Sequence, residues 1–85
     1  MCTYQTQKTD VTGSGYAHGE WIDVDRAVVS FDHPERVPFE HALRIDLRTD
    51  DPARRLAVEL DAASARRLAE SILELLGGDE VRALV

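Results

Sequence analysis

The chain is 85 residues long, 44% hydrophobic and 31% charged, which predicts one small soluble domain and excludes a disordered or collagen-like chain. Its 16 acidic and 10 basic residues give a formal charge of −6 at pH 7, the wrong sign for binding nucleic acid or an anionic membrane. The single cysteine cannot form an internal disulfide, and neither a secretory signal nor an apolar run of about 18 residues is present, so we expect a cytoplasmic protein.

A chain of this length has little interior with which to stabilise a fold. A domain of 85 residues buries only about 60–65% of the surface that its unfolded chain exposes. Chains close to this size often gain the missing stability from oligomerisation or from a bound metal. We therefore expect either a homo-oligomer, in the simplest case a homodimer, or a metal-binding protein.

The first two predicted strands lie at about residues 2–11 and 21–33, and a glycine-rich loop joins them. The first strand alternates Thr, Gln and Lys, which is typical of a polar edge strand. The second is rich in β-branched and aromatic residues, but its apolar positions change parity partway along. This change predicts a β-bulge near Asp25–Arg26.

Two further strands, at about residues 39–49 and 54–60, alternate regularly between apolar and polar residues. A period of two predicts an antiparallel sheet with one apolar and one solvent-exposed face. The apolar face is predicted to carry Leu43, Ile45, Leu47, Leu56, Val58 and Leu60. Ile22, Val24 and Val28 fall on the exposed face, where they suggest a contact between subunits.

The last predicted element is an amphipathic helix at about residues 62–76, followed by a tail at 77–85. Asp61 is suited to cap the N-terminus of the helix, apolar residues recur at helical spacing, and two glycines end it. The sequence thus predicts a single α+β domain. It consists of a four-stranded antiparallel meander (ββββ) with one C-terminal helix packed on the apolar face.

Two histidines flank the loop between the second and third strands. Residues that face each other across an antiparallel hairpin have numbers with a constant sum, and pairing Phe31 with Leu43 sets that sum at 74. The same register places His33 opposite His41. Because directly opposed Cβ atoms lie roughly 4.5–5.5 Å apart, we expect the two imidazoles to meet at one end of the sheet.

The N-terminus is predicted to bring a thiol to the same place. If the first strand pairs antiparallel with the second, Cys2 approaches His33, and Tyr4 shares the parity of Cys2. Thiolate and imidazole are good ligands for zinc, copper or iron. We therefore predict a transition-metal site formed by Cys2, His33 and His41. The adjacent pocket for a small molecule is predicted to be lined by Tyr4, Phe31 and Leu43.

This prediction depends on register, since the sequence contains no metal motif of fixed spacing. The structural alternative is that His33 and His41 cap the loop through hydrogen bonds and that Cys2 is a small buried or frayed residue. Removal of Met1 would add a free amine beside the thiol, and the sequence leaves open whether that removal occurs.

Several segments together resemble a small actinobacterial family of unknown function whose members begin Met-Cys-Thr-Tyr. These segments are Met1-Cys2-Thr3-Tyr4, residues 11–15, Asp32-His33-Pro34, Glu40-His41-Ala42, residues 57–60 and residues 64–69. The family occurs in GC-rich genomes, sometimes beside genes of specialised metabolism. The resemblance implies no established activity, but it groups Cys2, His33 and His41 in one shared role.

Three functions remain open from the sequence. The first is a metal- or ligand-binding protein with a catalytic role in specialised metabolism, in which the metal polarises a substrate or activates water. The second is a metal-free dimeric accessory or interaction module. The third is a small enzyme that uses Cys2 as a nucleophile, which requires a perturbed thiol.

Overall fold

A computed structural model describes residues 5–51 and 53–84. Its four strands form one antiparallel sheet in the order of the chain, and two helices follow. The elements are β1 (Gln5–Ala17), β2 (Glu20–Asp32), β3 (Ala42–Arg48), β4 (Arg55–Leu60), α1 (Ala62–Leu76) and α2 (Asp79–Arg82). The predicted α+β class and meander topology are confirmed, and the predicted tail contains the short helix α2.

The first strand is longer than the sequence analysis predicted. Its described part begins at Gln5 and continues to Ala17, so Gly13 and Gly15, which were predicted to lie in a loop, lie within the strand. The turn between β1 and β2 is reduced to His18 and Gly19, whose φ angles are 53° and 80°. Two consecutive positive φ values are typical of a type I′ turn, whose twist matches that of the paired strands.

A bulge interrupts the long β1–β2 hairpin at the place where a bulge was predicted. Asp10 pairs with Arg26 and Gly13 pairs with Val24, so two residues of β1 lie opposite Asp25 alone. The extra residue therefore belongs to β1 rather than to β2. A bulge increases the local twist, and the part of the hairpin beyond it comes close to β4. A Cβ built on Gly15 would lie 2.9 Å from Cδ1 of Leu56.

The predicted register between β2 and β3 is confirmed. Phe31 pairs with Leu43, and the neighbouring pairs follow the same sum of residue numbers. Strand β4 continues the sheet, with Leu43 opposite Leu60. All of the predicted apolar positions on these strands therefore share one face of the sheet.

The burial of the two faces differs from the prediction. Within the described part of the chain, the buried residues are Ile22, Val24, Val28, Ala42 and Asp46, each at most 8% exposed. The interpretation of the first three as an exposed subunit contact is therefore wrong. On the predicted apolar face, Val58 is 47% exposed and Phe31 is 37% exposed. The physical reason is that the 33–41 loop and several arginine side chains lie over the face that alternation alone assigns to solvent. The distal hairpin, which is the part of β1 and β2 beyond the bulge, approaches Leu56 on the other face.

Helix α1 begins and ends as predicted but covers little of the sheet. Asp61 accepts a hydrogen bond from the backbone N–H of Ser64 at 2.6 Å. The Ser64 hydroxyl, followed by this backbone contact, holds the pKa of Asp61 below its usual value. At the other end, the N–H of Gly77 donates to the carbonyl of Leu73 at 2.9 Å. No residue of α1 is buried, and its main contact with the sheet is with β3. Among the described helices, none combines the length and the apolar character required to cross a membrane.

Candidate metal and ligand site

Two imidazoles meet at one end of the sheet, as the register predicts. His33 follows the last residue of β2, and His41 precedes the first residue of β3. Their ring centroids lie 5.2 Å apart, and the ring planes are inclined by 20°. The two side chains are therefore stacked.

A third ring extends the stack onto the apolar face. The centroids of Phe31 and His41 lie 5.6 Å apart with an interplanar angle of 13°. His41 thus lies between an apolar ring and a second imidazole. Offset stacking of this kind fixes ring orientation and contributes about 0.5–1.5 kcal/mol for an aromatic pair beyond the area that it buries.

Backbone and side-chain contacts hold His33 in place. Its Nδ1 lies 3.1 Å from the carbonyl oxygen of Glu40, and its backbone N–H donates to Oδ1 of Asp32 at 2.6 Å. Because a carbonyl oxygen only accepts, the first contact is a hydrogen bond when Nδ1 carries the hydrogen. In that tautomer the lone pair of the ring is at Nε2. Metal-binding histidines commonly show this arrangement, in which the nitrogen that does not bind the metal donates to a carbonyl.

An open groove of about 350 Å³ lies beside the ring stack on the apolar face. It is lined by Gln5, Gln7, Thr9, Val29, Ser30, Phe31 and Leu43. Two of the three predicted pocket residues, Phe31 and Leu43, therefore line one cavity. The apolar floor and the amide and hydroxyl groups at the β1 edge suit a small molecule with both apolar and hydrogen-bonding parts.

The other predicted site residues, Cys2 and Tyr4, lie outside the described residues. The strand that follows them enters the sheet beside the ring stack, since Gln5 pairs with Phe31. Within residues 5–51 and 53–84, no cluster of three or more His, Cys, Asp or Glu side chains has the geometry to hold a metal ion. The described part of the chain thus contributes two predicted ligands, His33 and His41.

The loop that begins at His33 is anchored to β4 by one carboxylate. Oε2 of Glu59 accepts from the backbone N–H of Glu35 at 2.6 Å, and Oε1 accepts from the N–H of Arg36 at 2.9 Å. The side chain of Arg44 lies 3.8 Å from the same carboxylate and 2.9 Å from Glu35. The backbone contact with Glu35, followed by that with Arg36, holds the pKa of Glu59 below its usual value.

We expect acid to release this loop at a pH below the ordinary titration range of a glutamate. The pKa of Glu59 is lower in the folded protein than in the unfolded chain. The contact therefore stabilises the fold at pH values above the unfolded pKa of about 4.3, and this stabilisation is lost as the pH falls through the folded-state pKa. The measurement is an NMR titration of the Glu35 and Arg36 amides. Their shifts should move together with one midpoint below about 4.3, and Glu59→Gln should abolish the transition. A midpoint at or above that value contradicts the anchor.

Sequence analysis missed a charged cluster on the opposite face of the sheet. Asp46 is 4% exposed, and its Oδ2 lies 3.1 Å from Arg55, 3.5 Å from Arg48 and 3.7 Å from Arg44. Arg26, Arg48 and Arg55 also follow one another as direct cross-strand partners along a groove of about 620 Å³. The signal was present in the alternation of Arg44, Asp46 and Arg48, which places opposite charges on one strand face.

Comparison with protein-family models gives a match that covers residues 1–84 and is described as a family of unknown function. The chain belongs to the DUF6295 family. The expected membership of a family of unknown function is thereby confirmed over nearly the whole chain. Neither the curated proteins nor the solved structures give a match. The functional argument for this DUF6295 member therefore depends on its own side chains.

Proposed function

We propose that the chain binds a transition-metal ion at the end of the sheet through His33 and His41, with Cys2 as the third ligand. The observation that carries this proposal is the stacked pair of imidazoles, with ring centroids 5.2 Å apart. The contact between His33 Nδ1 and the Glu40 carbonyl at 3.1 Å favours a tautomer whose Nε2 can bind a metal. Zinc, copper and iron all accept imidazole and thiolate ligands.

Two physical requirements follow for such a site. In a tetrahedral zinc site the ligand nitrogens are about 3.4 Å apart, as the usual zinc–nitrogen distance requires, so the two rings must turn from the stack until their edges converge. The thiol must also reach them. Cys2 precedes Gln5 by three residues, and three residues span at most about 10 Å, which is compatible with the position of Gln5 beside Phe31.

The groove next to the ring stack supplies the ligand-binding part of the proposal. Phe31 contacts His41 and also lines the groove, so a small molecule in the groove lies close to the metal. A metal with three protein ligands keeps one coordination position for substrate or water, through which it polarises a carbonyl or activates water. The proposal includes a catalytic role for this protein in specialised metabolism and a cytoplasmic location for the protein.

The test is metal binding by protein with its native N-terminus and no added histidines. Each purified variant is titrated with Zn²⁺, Cu²⁺ or Fe²⁺ alone in a calorimeter, and the metal content is measured independently. We expect one metal ion per chain and a loss of at least about 100-fold in affinity for His33→Gln, His41→Gln or Cys2→Ser, because each removes a ligand rather than an outer contact.

The matched control is His18→Gln, which makes the same substitution in the turn between β1 and β2. This variant should retain the wild-type affinity. If the three site variants bind each metal as tightly as His18→Gln does, or if the wild-type chain binds none of the three metals, the proposed site is wrong. A thiol titration then tests whether Cys2 acts as a nucleophile, and an ordinary thiol pKa near 8.5 argues against that role.

A metal-free dimeric interaction module is the second candidate function. The specific observation in its favour is the exposure of apolar side chains on α1, where Leu73 is 68% exposed and Leu75 is 74% exposed. Light scattering combined with metal analysis distinguishes the two functions, since a metal-free dimer supports the second, a monomer argues against it, and bound metal in any oligomeric state supports the first.

A further inference from the structure

Three arginines, which form what we call the arginine row, lie side by side across the sheet. Arg26 of β2 pairs with Arg48 of β3, which pairs in turn with Arg55 of β4. Because neighbouring strands are about 4.8 Å apart, these like charges destabilise the sheet unless other groups compensate them. Asp46 forms ion pairs with Arg48 and Arg55. Among the described residues, neither Asp46 nor Asp10, the other cross-strand partner of Arg26, forms an ion pair with Arg26, so the row carries more positive charge than Asp46 balances.

An acidic rim adjoins the arginine row on the side of the turn between β3 and β4. Strands β2 and β3 are antiparallel, so Asp25 and the residues that follow Arg48 lie on the same side of the row. The rim consists of Asp25, Asp50 and Asp51, which line the groove of about 620 Å³ together with Thr49 and the row. Within the described part of the chain, none of these three aspartates forms an ion pair. The groove thus contains positive and negative groups that do not neutralise each other by direct contact.

Hydrogen bonds of the turn hold two carboxylates of the acidic rim in place. Oδ1 of Asp50 accepts from the hydroxyl of Thr49 at 3.1 Å, and Oδ1 of Asp51 accepts from the backbone N–H of Ala53 at 3.0 Å. Each carboxylate keeps a second oxygen that can accept from a ligand. Since these side chains are already oriented by the turn, less conformational entropy is lost when a ligand binds to them.

The arrangement of the two groups indicates the charge pattern of a ligand. The side chains of Arg48 and Arg55 are 46% and 44% exposed, and the planar guanidinium fork matches the geometry of a carboxylate. The carboxylates of the rim are suited to a protonated amine. Because a strand rises about 3.3 Å per residue, the step from Arg48 to Thr49 or Asp50 spans about 3–7 Å. We propose that the groove binds a small zwitterion, such as an amino acid, with its carboxylate on the arginine row and its amine on the acidic rim.

Ligands with a single charge are less compatible with this groove. A phosphate or another simple anion on the arginine row lies next to the carboxylates of the rim, and a simple amine on the rim lies next to the guanidinium groups. The formal charge of −6 on the whole chain also lowers the local concentration of anions. A zwitterion carries no net charge and places each of its groups beside the opposite charge.

The first test is an NMR titration of the full chain at pH 7 with glycine, β-alanine and 4-aminobutyrate. These probes separate a carboxylate from an amine by one, two and three carbons. We expect at least one of them to shift the Nε–H signals of the arginine row and the backbone amides of Asp50 and Asp51 in a saturable manner. Acetate and ethylamine, which each carry a single charge, should bind at least about tenfold more weakly than the tightest zwitterion, since each forms only half of the charged contacts.

Two variants test the row and the rim separately. Arg26→Gln and Asp50→Asn should each weaken the tightest zwitterion at least about tenfold, because each removes a charge but keeps a hydrogen-bonding group. The matched controls are Arg66→Gln on α1 and Asp79→Asn on α2, which change exposed residues outside the groove and should retain the wild-type affinity. The backbone amide spectrum verifies that each variant is folded.

The outcome is independent of the metal site, because β3 separates the two places. Six residues from Ala42 to Arg48 correspond to about 20 Å along the strand, and His41 precedes Ala42. A wild-type chain that binds none of the three zwitterions overturns the proposal. It is also overturned if acetate or ethylamine binds as tightly as the zwitterions, or if both groove variants bind as tightly as their controls.

Discussion

Replacing Asp46 with alanine is expected to destabilise the protein by about 3 kcal/mol, at the lower end of the cost of removing one partner from a buried ion pair. The carboxylate is 4% exposed and lies within 4 Å of Arg44, Arg48 and Arg55. Without it, Arg48 and Arg55 remain directly opposite each other across two strands, where like charges repel. The cost stays near the lower limit because these two side chains are 46% and 44% exposed and can gain water.

The measurement is chemical denaturation at one protein concentration, which keeps any contribution from association constant. Asp46→Asn, which keeps the shape and removes the charge, should show most of the same loss. Asp23→Ala removes an exposed carboxylate from β2 and should change the free energy of unfolding by less than about 0.5 kcal/mol. Equal stability of the Asp46→Ala and Asp23→Ala variants would falsify the assignment of the arginine cluster as a structural charge network.

Gly15→Val is expected to destabilise the protein by about 2 kcal/mol through overpacking. Valine is normally favoured in a strand, but here its Cβ would lie 2.9 Å from Cδ1 and 3.1 Å from Cδ2 of Leu56. Since Gly15 is paired with the buried Ile22, either Leu56 must change its rotamer or the distal hairpin must move away from β4 to admit the new side chain. Thermal or chemical unfolding measures the loss.

Two variants separate this clash from a general effect of losing glycine. Gly13→Val makes the same change in the same strand, where an added Cβ meets no atom within 4 Å, and it should be neutral or stabilising by up to about 1 kcal/mol. Adding Leu56→Ala to Gly15→Val should recover stability relative to the sum of the two single changes. Equal stability of Gly13→Val and Gly15→Val would contradict the predicted clash between Gly15→Val and Leu56.

The candidate site joins parts of the chain with very different sequence separations. His33 and His41 are eight positions apart, and the hairpin register brings them together. Glu59 anchors the intervening loop from a strand that lies 23 and 24 residues beyond Arg36 and Glu35. Because this carboxylate holds the loop that begins at His33, the proposed metal site depends on a contact with a distant strand.

Signals in the amino-acid sequence are sufficient to predict the local and neighbouring parts of this structure. Strand alternation, the cap at Asp61 and the two glycines after α1 are local signals, and each acts within a few residues. The pairing of Phe31 with Leu43 also followed from the sequence, because register is fixed wherever the two faces of adjacent strands differ in polarity. The meeting of His33 with His41 is a direct consequence of that register.

The coverage of the two sheet faces depends on long-range packing and could not be predicted from the sequence. Alternation shows that two faces differ, but it contains no information about what packs on them. The bulge at residues 11 and 12 brings Gly15 to Leu56, and the folded loop brings two amides to Glu59. Ile22 is buried in the resulting structure, whereas Val58 and the apolar side chains of α1 remain exposed. Periodicity cannot predict this difference, because long-range packing depends on where distant segments lie in space.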